Sequence, residues 1–123
     1  MYKILFYETR DGFCEFSNYM LSLKAKSSTD KNSRIKLAKI VSYMNKLEKY
    51  GTYMGAPFTK YLSNDIWELR PLKDRVLYAY WEDNTFIILH HFEKKTKKTP
   101  RGELNKAKSN YQDFLSRAEV KND

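Results

Sequence analysis

Cysteine is almost absent from this 123-residue sequence. Cys14 stands alone, so no intrachain disulfide can form, and a reducing, cytoplasmic setting is the simplest expectation. Phe13 and Phe16 stand on either side of it in FCEF, which predicts a buried, inert thiol and not a nucleophile. Glycine (4) and proline (3) are also scarce. Together with the lack of biased repeats, this argues against a disordered chain. No apolar run approaches the roughly 18 residues of a membrane span. The first residues, MYKILFYETRDG, carry no small-residue cleavage site, so neither membrane association nor export is expected. No Cys, His and carboxylate cluster has metal-ligand spacing, and adjacent strand residues such as His90 and His91 cannot both face one ion. A zinc site is therefore excluded. The want of an acidic cluster argues equally against two-metal nuclease chemistry. No cofactor is expected.

What is abundant is aromatic and basic. The sequence is 41% hydrophobic and 15% aromatic, enough for the core of a single domain spanning residues 1–123. The net charge is +8, and the pI is about 9.5. Such a surface attracts polyanions, nucleic acid first and an anionic membrane or acidic protein second. The charge is concentrated in two stretches. Residues 24–49 hold eight Lys or Arg against Asp30 and Glu48, and residues 94–101 hold five with no acid.

Residues 2–8, YKILFYE, read as a strand ended by the turn-like DG at 11 and 12. A helical stripe of Phe13, Phe16, Met20 and Leu23 follows from Gly12 to about Lys26. SSTDKNS is a polar turn offering Ser28, Thr29 or Asp30 as an N-cap. A longer helix then runs to about Tyr50, with Leu37, Ile40, Val41, Met44 and Leu47 as its apolar face and Gly51 as its stop. The second half is a β meander of FTKYL, IWELRP, RVLYAYWE and TFIILHHFE, with EDN as a hairpin connection. After Pro100 a final helix should carry Leu104, Ala107, Tyr111 and Leu115 on one side. The order βααββββα predicts an α+β domain: a small, mostly antiparallel sheet with helices packed on one face, and a C-terminal helix.

Strand alternation orients the candidate chemistry. Glu68 and Arg70 share one face of IWELRP, with Trp67 and Leu69 on the other; Arg75 opens the next strand nearby. Two arginines meeting on one face call for an anion, and Glu68 supplies one charge. Guanidinium donors match phosphate bidentately and stay charged at working pH. His90, Phe92 and Lys94 share a face, His91 and Glu93 take the other, and Tyr78 lies opposite Arg75 as a core residue. Such cations can promote RNA cleavage without metal, because attack of a 2′-hydroxyl on the adjacent phosphorus develops charge on the phosphoryl oxygens. DNA lacks that hydroxyl. Glu68, His90 or a lysine with a lowered pKa are the candidates for proton transfer, and the residues leave the choice among them open. A non-catalytic basic nucleic-acid-binding domain is the competing reading.

The combined patterns W-E-L-R-P, R-x-L-Y and L-H-x-F-x-K-K-T-x-K-T-P, between residues 66 and 100, resemble the HigB-type branch of the RelE/ParE toxin–antitoxin superfamily, the phage-derived toxin-like proteins. The likeness extends over nearly the whole chain. It implies a RelE-like fold and a type II toxin: a ribosome-dependent, metal-independent mRNA endonuclease that inhibits translation. It also implies a cognate helix-turn-helix antitoxin of HigA type, with DNA met only through the toxin–antitoxin complex. By position, the family arginines fall on Arg70 and Arg75, the lysine-rich strand end on Lys94, Lys95 and Lys98, and recurrent residues on Glu68 and His90. His91 stands where the family usually has a small residue. Lys97, Lys98 and Arg101, with Lys39 and Lys46 on the second helix, are the expected RNA contacts. The superfamily also contains ParE-like members that poison DNA gyrase without RNase activity.

Overall fold

The computed structural model describes residues 1–122 and shows the expected α+β order. Strand β1 (Lys3–Phe6) precedes helices α1 (Glu15–Lys26) and α2 (Lys31–Tyr50). Strands β2 (Thr59–Ser63), β3 (Ile66–Leu69), β4 (Asp74–Tyr80) and β5 (Thr85–Glu93) follow, then helix α3 (Arg101–Asn122). The five strands form one sheet in the order β1-β5-β4-β3-β2. All neighbours are antiparallel except β1 and β5, which run parallel with Lys3 opposite Thr85 and Phe6 opposite Ile88.

Local chemistry sets the boundaries. Helix α1 begins three residues later than the apolar stripe predicts, because Thr9–Gly12 form a turn in which the Phe13 N–H donates to the Thr9 hydroxyl (3.2 Å). Gly12 adopts φ +85° there, a conformation that costs glycine little. Phe13 therefore lies outside the helix and half exposed. Cys14 becomes the N-cap instead of a buried thiol: it is partly exposed and its Sγ accepts from the Ser17 N–H at 3.4 Å. Of the three N-cap candidates for α2, Asp30 serves, accepting from the Asn32 N–H (3.1 Å) and the Ser33 hydroxyl (2.7 Å). Gly51 ends α2 at φ +60°. The β2–β3 and β4–β5 hairpins turn through left-handed pairs, Asn64–Asp65 and Asp83–Asn84, as two-residue hairpin turns require.

The sheet has a core on each face. Phe16 and Leu23 of α1 and Ile40 and Leu47 of α2 pack on Leu69, Val76, Tyr78, Phe86 and Ile88. Val41, expected among them, is 44% exposed, since it lies one residue round the helix from Ile40. On the opposite face Ala107 of α3, with Leu104, Tyr111 and Phe114 beside it, covers Ile66, Leu77, Ala79, Ile87 and Leu89. Phe114 thus takes the place expected of Leu115. Helix α3 begins at Arg101, just after the loop whose Thr99 reaches Glu68, and the polar residues Glu68, Arg70 and Arg75 lie together where β3 ends and β4 begins.

Candidate functional site

The ladder places Glu68 opposite Leu77, and Arg75 opposite Phe92. Arg70 follows Leu69, its N–H donating to the Phe58 carbonyl (2.9 Å) and so prolonging β3 by one residue. One alternation therefore brings Glu68, Arg70 and Arg75 to the same face. Glu68 is buried, and its Oε1 lies 3.4 Å from Arg70 Nε and 3.8 Å from Arg75 Nε. Its Oε2 accepts a short hydrogen bond from the Thr99 hydroxyl. Arg75 is 6% exposed, and its Nη1 donates to the carbonyls of Leu72 and Asp74, both at 2.8 Å. These bonds fix the guanidinium before any ligand arrives. Burial pushes Arg75 below the usual arginine range, while Glu68 opposes that shift and Arg70 adds to it.

Lys94 joins this group. Its N–H donates to the Lys73 carbonyl (2.7 Å), which carries the β4–β5 pairing one residue past the strand and keeps its side chain on the Arg75 face. A narrow cleft is lined by Glu68, Arg75, Phe92 and Lys94, and by Lys97 and Lys98 of the returning loop. Thr96 and Thr99 complete the wall. Neither threonine was singled out by sequence reasoning. Their signal was the Thr spacing in KKTKKTP, which cannot disclose that the loop folds back on Glu68.

Other candidates lie elsewhere. Lys95, past the end of the ladder, is exposed and lines a neighbouring hollow with Phe92 and Glu103. His90 shares the cleft face but turns to α3, with Nε2 3.4 Å from Glu103 Oε2 and Nδ1 buried without a partner among the described residues. Burial lowers its pKa below the ordinary 6.5, and the Glu103 carboxylate opposes this. His91 points through the sheet to the α1–α2 face: it stacks on Tyr19 with centroids 3.9 Å apart and approaches Asp74 Oδ1 at 3.1 Å. It does not crowd the cleft. Tyr78 is buried on that same face, its hydroxyl 2.6 Å from Thr59 Oγ1; its pKa is raised by burial.

Arg101 is exposed at the start of α3. Lys39 and Lys46 lie on α2, across the sheet from the cleft. Lys39 is exposed, and Lys46 holds its ammonium 5.0 Å above the Phe58 ring. Lys36, on the same helix, pairs instead with Glu93 (3.5 Å) beside buried Asp74.

Residues 24–112 match the family model described as "Phage derived protein Gp49-like (DUF891)". No curated protein matches the sequence. Solved structures similar to it include two toxin–antitoxin complexes. One is a YoeB–YefM complex from Staphylococcus aureus, at 17% identity and TM-score 0.45, covering 72% of this chain and 91% of that one. The other is a heterotetrameric YoeB–YefM toxin–antitoxin complex from the same organism, at 18% identity and TM-score 0.45, covering 80% and 99%. Among the described residues, no helix is long and apolar enough to cross a membrane.

Proposed function

Because the chain belongs to the phage-derived Gp49-like family, we propose that it is the toxin of a type II toxin–antitoxin pair and cleaves mRNA on the ribosome without a metal. The observation that carries this reading is the buried Glu68 carboxylate held between Arg70 and Arg75, with Lys94 beside them. Three cations surround one acid, so the site retains affinity for a phosphate. Arg75 and Arg70 clamp the scissile phosphate and answer the charge that grows on its oxygens as the 2′-hydroxyl attacks. Glu68 is within the cleft and is the stronger candidate to accept the hydroxyl proton; Lys94 is placed to supply one to the leaving 5′-oxygen. His90, turned to Glu103, supports the site from outside. Lys97, Lys98 and Arg101 steer RNA towards the cleft, and Lys39 and Lys46 give a second cationic surface to meet the ribosome. A helix-turn-helix antitoxin of HigA type is the proposed partner, on the strength of the sequence patterns at 66–100.

Primer extension on messages translated in a cell extract tests the proposal. Wild-type protein should produce new 5′ ends in the translated region and few in naked RNA, and Arg75→Ala should reduce cutting by about 10²–10³-fold, the usual effect of losing one preorganised donor. An unchanged melting temperature must accompany the loss, since Arg75 is also a buried residue of β4. Full cutting by Arg75→Ala would sink the phosphate-clamp assignment. DNA breaks in place of cut messages would mark a gyrase poison, and salt-sensitive binding with neither would mark a simple nucleic-acid binder.

A further inference from the structure

Beside the phosphate cleft, and sharing Phe92 with it, lies a second hollow of about 510 Å³ between the end of β5 and the start of α3. Phe92, Pro100 and Gly102 supply its apolar and bare-backbone surface; Glu93, Glu103 and Lys95 supply its polar groups. We propose that this hollow is a base-binding subsite that takes a guanine of the RNA next to the scissile phosphate. The inference rests on the RNA reading above and adds to it a base preference.

The composition of the walls points to a nucleobase. Phe92 is half-buried, so part of its ring is open to a stacking partner, and bases stack on aromatic rings whatever their identity. Because the same ring walls the cleft, a base lying on it stays within one nucleotide of a phosphate held by Arg75. Lys95 on the rim supplies a cation for the next phosphate, which accounts for its lying outside the cleft.

The choice among bases follows from the carboxylates. Glu93 is turned to Lys36, 3.5 Å away, leaving Glu103 as the reading group. The His90 ring engages only Glu103 Oε2, which fixes the carboxylate and leaves Oε1 without a protein hydrogen bond among the described residues. A carboxylate only accepts hydrogen bonds. Guanine alone presents two adjacent donors, N1–H and the exocyclic N2–H, on its Watson–Crick edge, and these match the two oxygens. Adenine and cytosine set a ring acceptor beside their amino group, and uracil flanks its one N–H with two carbonyls; each would put an acceptor against the carboxylate.

Binding of mononucleotides tests this without a ribosome. The 3′-monophosphates of guanosine, adenosine, cytidine and uridine are titrated into ¹⁵N-labelled protein. Guanosine 3′-monophosphate should bind at least about tenfold more tightly than the others, shifting the amide signals of Phe92, Lys95, Gly102 and Glu103. Phe92→Leu should weaken all four by about tenfold, the scale of one lost base stack. Glu103→Gln, which conserves shape, should bring the four affinities within about twofold while leaving the melting temperature unchanged. Four equal affinities for wild type, a preference that survives Glu103→Gln, or shifts confined to other surfaces would each overturn the proposal. Cut messages with no guanine beside the cleavage site would overturn the subsite and spare the nuclease reading. Selective guanosine binding without message cleavage would do the reverse.

Discussion

Glu68 is the residue on which the cleft depends, because its buried carboxylate forms ion pairs with both Arg70 and Arg75. Removing one partner of a buried ion pair leaves the other charge uncompensated, at a cost of about 3–5 kcal/mol. Partial exposure of Arg70 reduces that figure here. Glu68→Ala should therefore lower stability by about 2–3 kcal/mol in urea denaturation, and added phosphate should restore part of the loss by pairing with the freed arginines. A variant that phosphate leaves unmoved would show that the arginines are not a phosphate site. His90 titrates differently. Burial depresses its pKa below 6.5 in the folded state, so the unfolded chain binds its proton first as pH falls. Its contribution is fully present above pH 6.5 and is lost progressively below it. Wild-type melting temperature should fall between pH 7 and 5, and His90→Gln should flatten that part of the curve; an identical slope in both proteins would refute the assignment.

Among the elements, α2 carries the most legible sequence and one hard geometric constraint. At Gly51, φ is +60°, and an added Cβ would stand 2.8 Å from two ring carbons of Tyr2. Gly51→Ala combines a left-handed backbone penalty of about 1–2 kcal/mol with that clash. Its melting temperature should drop by several degrees while message cleavage by the folded protein stays the same, because Tyr2 and Gly51 sit across the sheet from the cleft. The strands were readable because alternation is a local property: it placed Glu68, Arg70, Arg75, Phe92 and Lys94 on one face and Trp67, Leu69, Tyr78 and His91 on the other. The bulge that leaves Leu89 unpaired between Ile88 and His90 comes before the critical residues and does not disturb that assignment. What alternation cannot encode is where a chain goes after its ladder ends. Lys95 diverges from Lys94 for that reason, and the return of Thr99 to Glu68 spans 31 residues of sequence. Nor does periodicity reveal that Cys14 would cap a helix; the Thr9–Gly12 turn had first to move the start of α1.

For the molecule as a whole, the net charge of +8 governs encounter more than grip. Lys97 and Lys98 are exposed beside the cleft, where each neutralised phosphate of single-stranded RNA contributes about 0.7 to the slope of log affinity against log salt. The double variant Lys97→Ala, Lys98→Ala should lower that slope by about 1.4 in RNA binding measured across salt concentrations. A slope equal to wild type would place both lysines outside the RNA path.

The parallel pairing of β1 with β5 has a consequence in time. Lys3 must find Thr85 before the sheet is complete, and contacts between such distant parts of a chain form slowly. The cleft needs still later residues, since Lys94 walls it and Thr99 holds Glu68. A nascent chain that has not yet emerged past its ninety-ninth residue therefore holds arginines but no finished site. Under the proposed function, the ribosome making the protein is spared until Thr99 has emerged and folded back on Glu68, which gives a neutralising partner an interval in which to arrive first.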